Sequence, residues 1–364
     1  MKRILVIGRS FPHASHSYTN NDVDYLAARA DVLVLSLNQP KAPFYSAVNC
    51  NYFNNEHDLL RQARHFQPDF IIAWMLPNHF FARTVAEALG VPFLLRLHTP
   101  DPHTIPARQG GMKKLLASLK PKRGEVQLSK GYRVSRESLQ RTGQSDHLRG
   151  AFCIPALKDA FAEHLPTAKI FELKPRIFYD RFHNEQPNGD KVLLLGALVN
   201  RRQDDTTFGR VVSSIASPVD WYPIPTSGCL WLDIPGRPDN IVFKKYQPPA
   251  AMPAVYKQYK AMVMVGSGPY SRGLSLSILE AQAAGVTVLA PSLRPDFDAF
   301  VTQGGGFVFH DESEIMSILQ TVPHEARRAL GFRHAAAFDM AGVEQEFLQA
   351  GLVLQSALQP GALR

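Results

Sequence analysis

Cysteine is scarce: Cys50, Cys153 and Cys229 are the only three in 364 residues, too few and too far apart for a disulfide framework or a zinc site. They read as reduced, mostly buried thiols. No run of about 18 apolar residues exists that could span a bilayer. The opening MKRILVIG lacks the apolar core and small-residue cleavage site of a signal peptide, so the expected location is the cytoplasm. Also missing are a P-loop, a Ser/His/Asp signature and a complete G-x-G-x-x-G after the first strand. Kinases, hydrolases and dinucleotide oxidoreductases therefore lack their usual marks. Short-period repeats and low-complexity tracts are absent as well.

What is present is a rhythm. Short runs rich in Val, Ile, Leu and Phe (RILVIG at 3–8, DVLVLSL at 31–37, DFIIAW at 69–74, PFLLRL at 92–97, KIFEL at 169–173) alternate with helix-length segments. It restarts at KVLLLGAL (191–198) and continues through CLWLDI (229–234), IVFKKY (241–246), AMVMVG (261–266), VTVLA (286–290) and GFVF (306–309). This is the pattern of parallel sheets buried on both faces, with crossover helices between strands. The polar stretch HNEQPNGD (183–190) separates the two series. The expected architecture is α/β, with two Rossmann-like doubly wound parallel-sheet domains facing across a cleft. The first domain takes 1–184 and the second 185–345. A helix over 346–364 returns to the first, within a tail that reads as helical after Pro323.

Charge is unevenly placed. Between Ala107 and Arg149, eleven Lys and Arg stand against three acids, so residues 107–149 alone carry the chain's net +8. Within GGMKKLLASLKPKRG, Met112, Leu115, Leu116 and Leu119 share one helical face beside Lys113, Lys114 and Lys120. That pattern suits an anionic membrane surface, and equally an ordinary solvated helix packed by its Leu face. Apart from Tyr132 no aromatics are interleaved there and no nucleic-acid-binding motif is matched, so no nucleic-acid partner is expected.

The stretch SRGLSLSILEAQAAGVTVLAP (271–291) holds a carboxylate, Glu280, inside a helix of Leu, Ile and Ala. If Ser275 caps that helix, the N–H groups of Leu276, Ser277 and Ile278 form an anion site able to seat a diphosphate. Gly273 lets the preceding turn approach a ligand, and helical Cα–Cβ bonds tilt Glu280 back toward the same end. A carboxylate there can accept two hydrogen bonds from a ribose diol. A lone Glu on a helix is otherwise an exposed or locally paired residue. LLRLHTPDPHTIP, after a predicted strand, would bring Arg96, His98, Asp101 and His103 near the cleft. The D-x-D pair Asp296 and Asp298 sits where helix-capping acids belong, so no metal site is read there.

LEAQAAGVTVLAP with Gly273 resembles the donor-binding signature of retaining GT-B glycosyltransferases, the family 4 class. KVLLLGALVNRR, NIVFKKYQPPAAMPAVYKQYKAMVMVGS, YRVSRESL and PRIFYDRF resemble further segments of that class in the same order, over nearly the whole chain. The resemblance implies transfer of a sugar from a nucleotide diphosphate donor, with UDP as the expected carrier, to a hydroxyl of a glycan or lipid-linked acceptor. It implies no cofactor and no metal. The site residues it implies are Arg202, Gly273, Leu274 and Ser275 for phosphate, Glu280 for ribose, and His98 on the acceptor side, where His13 and His16 stand in the first loop. Together with the basic segment it suggests surface glycan or polysaccharide assembly at the inner face of the membrane. Three places depart from the pattern. The first signature Glu is Arg272, one of two expected cations is Ala197, and the Gly pair of the first loop is replaced by RSFPHASHSYTNN. Arg272 could supply the missing cation, pair with an acidic donor sugar, or mark a degenerate site. The other readings are therefore an inactive GT-B binding subunit and a sugar-nucleotide epimerase of similar fold.

Overall fold

The computed structural model describes residues 1–12, 17–39, 48, 50–97, 136–195, 210–222, 239–245, 247–265, 274–321 and 323–354. They form two compact units. One takes the described chain up to Lys174 together with the stretch from Val343, and the other takes Pro175–Gly342.

The first unit is a seven-stranded sheet: β1 Arg3–Ser10, β2 Asp31–Asn38, β3 Cys50–Tyr52, β4 Phe70–Trp74, β5 Phe93–Leu97, β6 Leu148–Cys153 and β7 Ile170–Glu172, in the order β3-β2-β1-β4-β5-β6-β7. Every pairing is parallel. The central strands are buried along their whole length, as helices on both faces require. The second unit contains β8 Lys191–Leu195, β9 Val219–Tyr222, β10 Ile241–Phe243, β11 Tyr259–Val263, β12 Thr287–Pro291 and β13 Phe307–Phe309. Its order is β10-β9-β8-β11-β12-β13, again all parallel. Counted within each unit, both sheets contain the 3-2-1-4-5-6 arrangement of a dinucleotide-binding fold.

Three strands escape the apolar-run reading. Cys50–Tyr52 is a three-residue edge strand; Leu148–Cys153 is interrupted by Arg149 and Gly150; Val219–Tyr222 contains a buried acid. Asp220 is tolerated there because the Tyr259 hydroxyl donates to it at 2.8 Å and Lys244 Nζ lies 3.2 Å away. The predicted strand at 229–234 falls outside the described residues. Of the helix expected over 346–364, the described part is helical only to Gln349, as the end of a helix over Val343–Gln349. It stops where Gly351 turns left-handed, and Leu352 N–H closes back onto the Phe347 carbonyl at 2.9 Å.

Val343–Gln349 packs into the first unit through a buried charge cluster. Arg96, on β5, is 1% exposed; its Nε lies 2.7 Å from Asp22 and its Nη1 3.0 Å from Glu346. The rings of Trp74, Phe152 and Phe347 stand 5.0–5.6 Å from its guanidinium carbon. Arg96, read from the sequence as lying near the cleft, thus has internal carboxylate partners and internal aromatic packing. Cys50 and Cys153 are free thiols, and burial pushes them up to about 11 and about 12, which keeps them protonated. Cys229 is not among the described residues.

Candidate functional site

In a doubly wound sheet the chain leaves neighbouring strands in opposite directions at one place, and ligands collect outside the carboxyl ends there. In the second unit that place lies between β8 and β11. After β11 the described chain resumes at Leu274 and enters the helix Leu276–Ala283, which leads to β12. Glu280 therefore lies on the first described helix after β11, at the topological switch.

The helix forms because its residues suit burial nearly all round. Leu276, Ile278, Leu279, Ala281 and Ala283 are buried, and no β-branched run interrupts them. It ends at Gly285, whose φ of 79° is left-handed. A Cβ there would also meet Arg328 Nε at 2.8 Å and Asn188 Oδ1 at 3.0 Å. Its main partner is the helix His324–Ala336. Across that seam, His334 Nδ1 bonds the side-chain Oε1 of buried Gln282 at 2.8 Å. Burial holds His334 down at about 4, so the ring stays neutral and adds no charge to the seam.

Ser275 occupies the N-cap position with an extended backbone, but its side chain does not cap the helix. Its hydroxyl instead meets that of Ser277 at 2.7 Å. Ile278 N–H bonds the Ser275 carbonyl at 3.1 Å and so is not available to a ligand, contrary to the sequence expectation. The N–H groups of Leu276 and Ser277 remain in the first turn, where a helix supplies no acceptors of its own. The helix end thus offers two amides and a pair of hydroxyls, a donor set suited to an anion.

Glu280 keeps part of its surface exposed, yet protein surrounds its carboxyl closely. Burial pushes it up to about 7, partly opposed by a hydrogen bond from Tyr256, whose hydroxyl donates to Oε2 at 3.0 Å. Among the described residues Oε1 has no partner. Tyr256 ends the short helix Met252–Tyr256 and is fully buried, with its ring against Phe182 at 6.0 Å between centroids. Burial and the neighbouring carboxylate raise its hydroxyl well above the usual value, so it remains a donor. Sequence reasoning did not single out Tyr256, because a tyrosine in PAVYKQY reads as an ordinary core aromatic.

Next to it, Lys257 donates from Nζ to the Asn184 carbonyl at 3.0 Å, Asn188 Oδ1 at 2.9 Å and the Ala284 carbonyl at 3.2 Å. Arg328 Nη2 binds the carbonyls of Glu185 and Gln186 at 2.7 and 2.8 Å. The polar stretch read as a boundary is therefore fastened to the second unit behind the Glu280 helix.

Asp296 and Asp298 are engaged locally. Asp298 accepts from Ser292 Oγ at 2.6 Å and Leu293 N–H at 3.0 Å, and Asp296 pairs with Arg294 Nε at 2.7 Å. Among the described residues no group of three or more His, Cys, Asp and Glu could hold a metal, and no helix is long and apolar enough to cross a membrane. Of the predicted site residues, Leu274, Ser275 and Glu280 are described; Leu274 and Ser275 immediately precede the helix that carries Glu280. His13, His16, His98, Arg202, Arg272 and Gly273 fall outside the described residues, as do Asp101, His103 and residues 107–135 of the basic segment. In the described remainder of that segment, Arg141 is paired with Glu137 at 2.6 Å and Arg149 is exposed on β6.

No protein-family model and no curated protein matches the chain by sequence. Solved structures match it by shape. Anabaena HepE, crystallised in complex with UDP-glucose, aligns with a TM-score of 0.68 at 12% identity, over 96% of this chain and 99% of that one. Sucrose-phosphate synthase from Thermosynechococcus elongatus aligns at 0.67 and 12% identity, with the same coverage. WaaG, a glycosyltransferase involved in lipopolysaccharide biosynthesis, aligns at 0.62 and 14% identity over 94% and 98%. With two parallel sheets of seven and six strands and these neighbours, the chain has the GT-B fold.

Proposed function

We propose that the chain is a glycosyltransferase that moves a sugar from a nucleoside diphosphate donor to a hydroxyl acceptor. The observation that carries the reading is Glu280: a carboxylate on the helix at the topological switch, held by a buried tyrosine, with one oxygen lacking a partner among the described residues. In this reading the ribose diol donates to Glu280, and the diphosphate lies on the amides of Leu276 and Ser277 with the hydroxyls of Ser275 and Ser277. Gly273, Leu274, Arg202 and Arg272 complete the donor site, and His98, with His13 and His16, serves the acceptor side.

Catalysis is electrostatic. The helix end and cations stabilise the departing diphosphate, in place of a metal or cofactor, while the site orients the acceptor hydroxyl. Retention, a UDP carrier, a glycan or lipid-linked acceptor and attachment to an anionic membrane surface through 107–149 belong to the same proposal. It is supported by the UDP-glucose bound to HepE and the involvement of WaaG in lipopolysaccharide biosynthesis. A second reading, a binding subunit without transfer, is favoured by Arg272 where the resembled signature has Glu.

A thermal-shift screen of nucleotide sugars, repeated on Glu280→Ala, tests the proposal. Saturation at about 100 times Kd stabilises the folded state by about 2.7 kcal/mol. A shift with one diphosphate sugar, lost in the variant, is the expected result. The absence of any shift, or a shift unchanged in Glu280→Ala, would overturn it. Donor turnover alongside binding separates the enzyme from the binding subunit.

A further inference from the structure

The Glu280 carboxylate is half committed before any ligand arrives: Oε2 accepts the Tyr256 hydroxyl at 3.0 Å. The tyrosine cannot follow a moving glutamate. It is completely buried, closes its helix three residues before β11, and has the Phe182 ring against its own. A buried donor fixed by packing dictates where the carboxylate plane lies, because leaving the hydroxyl without an acceptor is expensive. We propose that Tyr256 is a positioning residue for donor binding: its hydroxyl fixes the Glu280 carboxylate so that Oε1, together with the second lone pair of Oε2, meets the two hydroxyls of the ribose. This rests on the nucleotide-sugar reading above and specifies how that site is held ready.

The arrangement makes binding depend on pH through one group. To accept from both diol hydroxyls and from Tyr256, the carboxylate must be ionised. The other titratable side chains on the elements packed against the Glu280 helix have partners elsewhere or face away. On Tyr179–Phe182 and just after it, Tyr179 bonds His183 at 2.7 Å and Arg181 stacks on Phe178 at 3.7 Å; neither these nor Asp180 acts on Glu280. On His324–Ala336, Arg328 binds Glu325 and the carbonyls of Glu185 and Gln186, and His334 is neutral on Gln282. Arg327 lies over Phe307, and Arg333 reaches the Ala329 carbonyl. Lys257 is held by Asn184, Asn188 and Ala284, and β12 carries no titratable side chain. Among the described residues Tyr256 is thus the single group that favours the ionised carboxylate against burial. Phenylalanine at 256 would remove that support and leave packing nearly unchanged.

The test is calorimetric titration of UDP-glucose, ADP-glucose and GDP-glucose between pH 5.5 and 9, where their diphosphates carry no titrating proton. It is run on the full chain, on Tyr256→Phe and on Glu280→Gln. For the parent, affinity for the best donor rises with pH and levels off above about 7. Glu280→Gln binds weakly with no such rise. In Tyr256→Phe the midpoint moves upward by about one pH unit, so affinity drops about tenfold at pH 6.5 and recovers most of that by pH 9. A merely structural tyrosine would lower affinity equally at every pH, and that result, or a profile identical to the parent's, would overturn this inference alone. No donor binding by the parent, or full affinity in Glu280→Gln, would overturn the functional reading and this inference with it. Unfolding of Tyr256→Phe would be visible by circular dichroism; 3-fluorotyrosine incorporated at position 256, nearly the size of tyrosine and a stronger donor, then serves, and it should move the midpoint downward, whereas a midpoint at or above the parent's would overturn the positioning role.

Discussion

Glutamine at position 280 tests how much the candidate site costs the fold. Burial lifts the Glu280 carboxyl from 4.5 to about 7. Between those values the folded chain keeps a proton that the unfolded chain has released. Stability contributed at this position therefore falls as pH rises through the window, and stays lower above it. Fully realised, a lift of this size is about 3 kcal/mol, and water reaching the exposed edge of the side chain reduces it to roughly 1–3 kcal/mol. Glu280→Gln keeps a carbonyl to accept the Tyr256 hydroxyl and removes the ionisation. At pH 8 the variant should be more stable than the parent by that amount; at pH 4.5 the two should agree within about 0.5 kcal/mol. Urea unfolding of the second unit, followed through buried Trp221, measures the gap at both pH values. A gap of equal size at pH 4.5 and pH 8 would refute the reasoning, because a packing change does not titrate.

Other perturbations address the scaffold. Arg96→Met leaves the buried carboxylates of Asp22 and Glu346 without their cation and should destabilise the first unit by about 3–5 kcal/mol, read from the transition seen by Trp74. Gly306→Ala would place a Cβ 2.6 Å from the Val288 carbonyl and 2.9 Å from the Val301 carbonyl, so a loss of about 2–3 kcal/mol is expected in thermal unfolding of the second unit. Lys257→Met removes the ammonium that binds Asn184, Asn188 and Ala284 and should speed proteolytic cleavage within 183–190 severalfold, with little effect elsewhere in the chain.

Much of this fold is legible because parallel strands covered on both faces must be apolar throughout, and RILVIG, DFIIAW and PFLLRL can be little else. What escaped depends on contacts that only the folded chain supplies. VDWY hides a strand because Asp220 is paid for by Tyr259 on β11 and by Lys244 just past the end of β10. LRGAFC hides one because Gly150 makes room for the Phe171 ring, which a Cβ would meet at 2.7 Å. Arg96 resembled a ligand-binding cation until Asp22 and a glutamate 250 residues away closed on it. The same distinction holds at the site. Glu280 stood out as a carboxylate in an apolar helix, whereas the tyrosine that holds it carries no local mark, and Ser275 has the sequence of a cap while its hydroxyl serves Ser277.

The central claim is that Glu280 reads a ribose. It is tested most directly by comparing UDP with 2′-deoxy-UDP on the parent and on Glu280→Ala in one double-mutant cycle. A hydrogen bond to a charged acceptor is worth about 1.5–3 kcal/mol, so the parent should prefer UDP by roughly 10- to 150-fold and the variant should bind both equally and weakly. An undiminished preference for UDP in Glu280→Ala would place the ribose elsewhere and contradict the account.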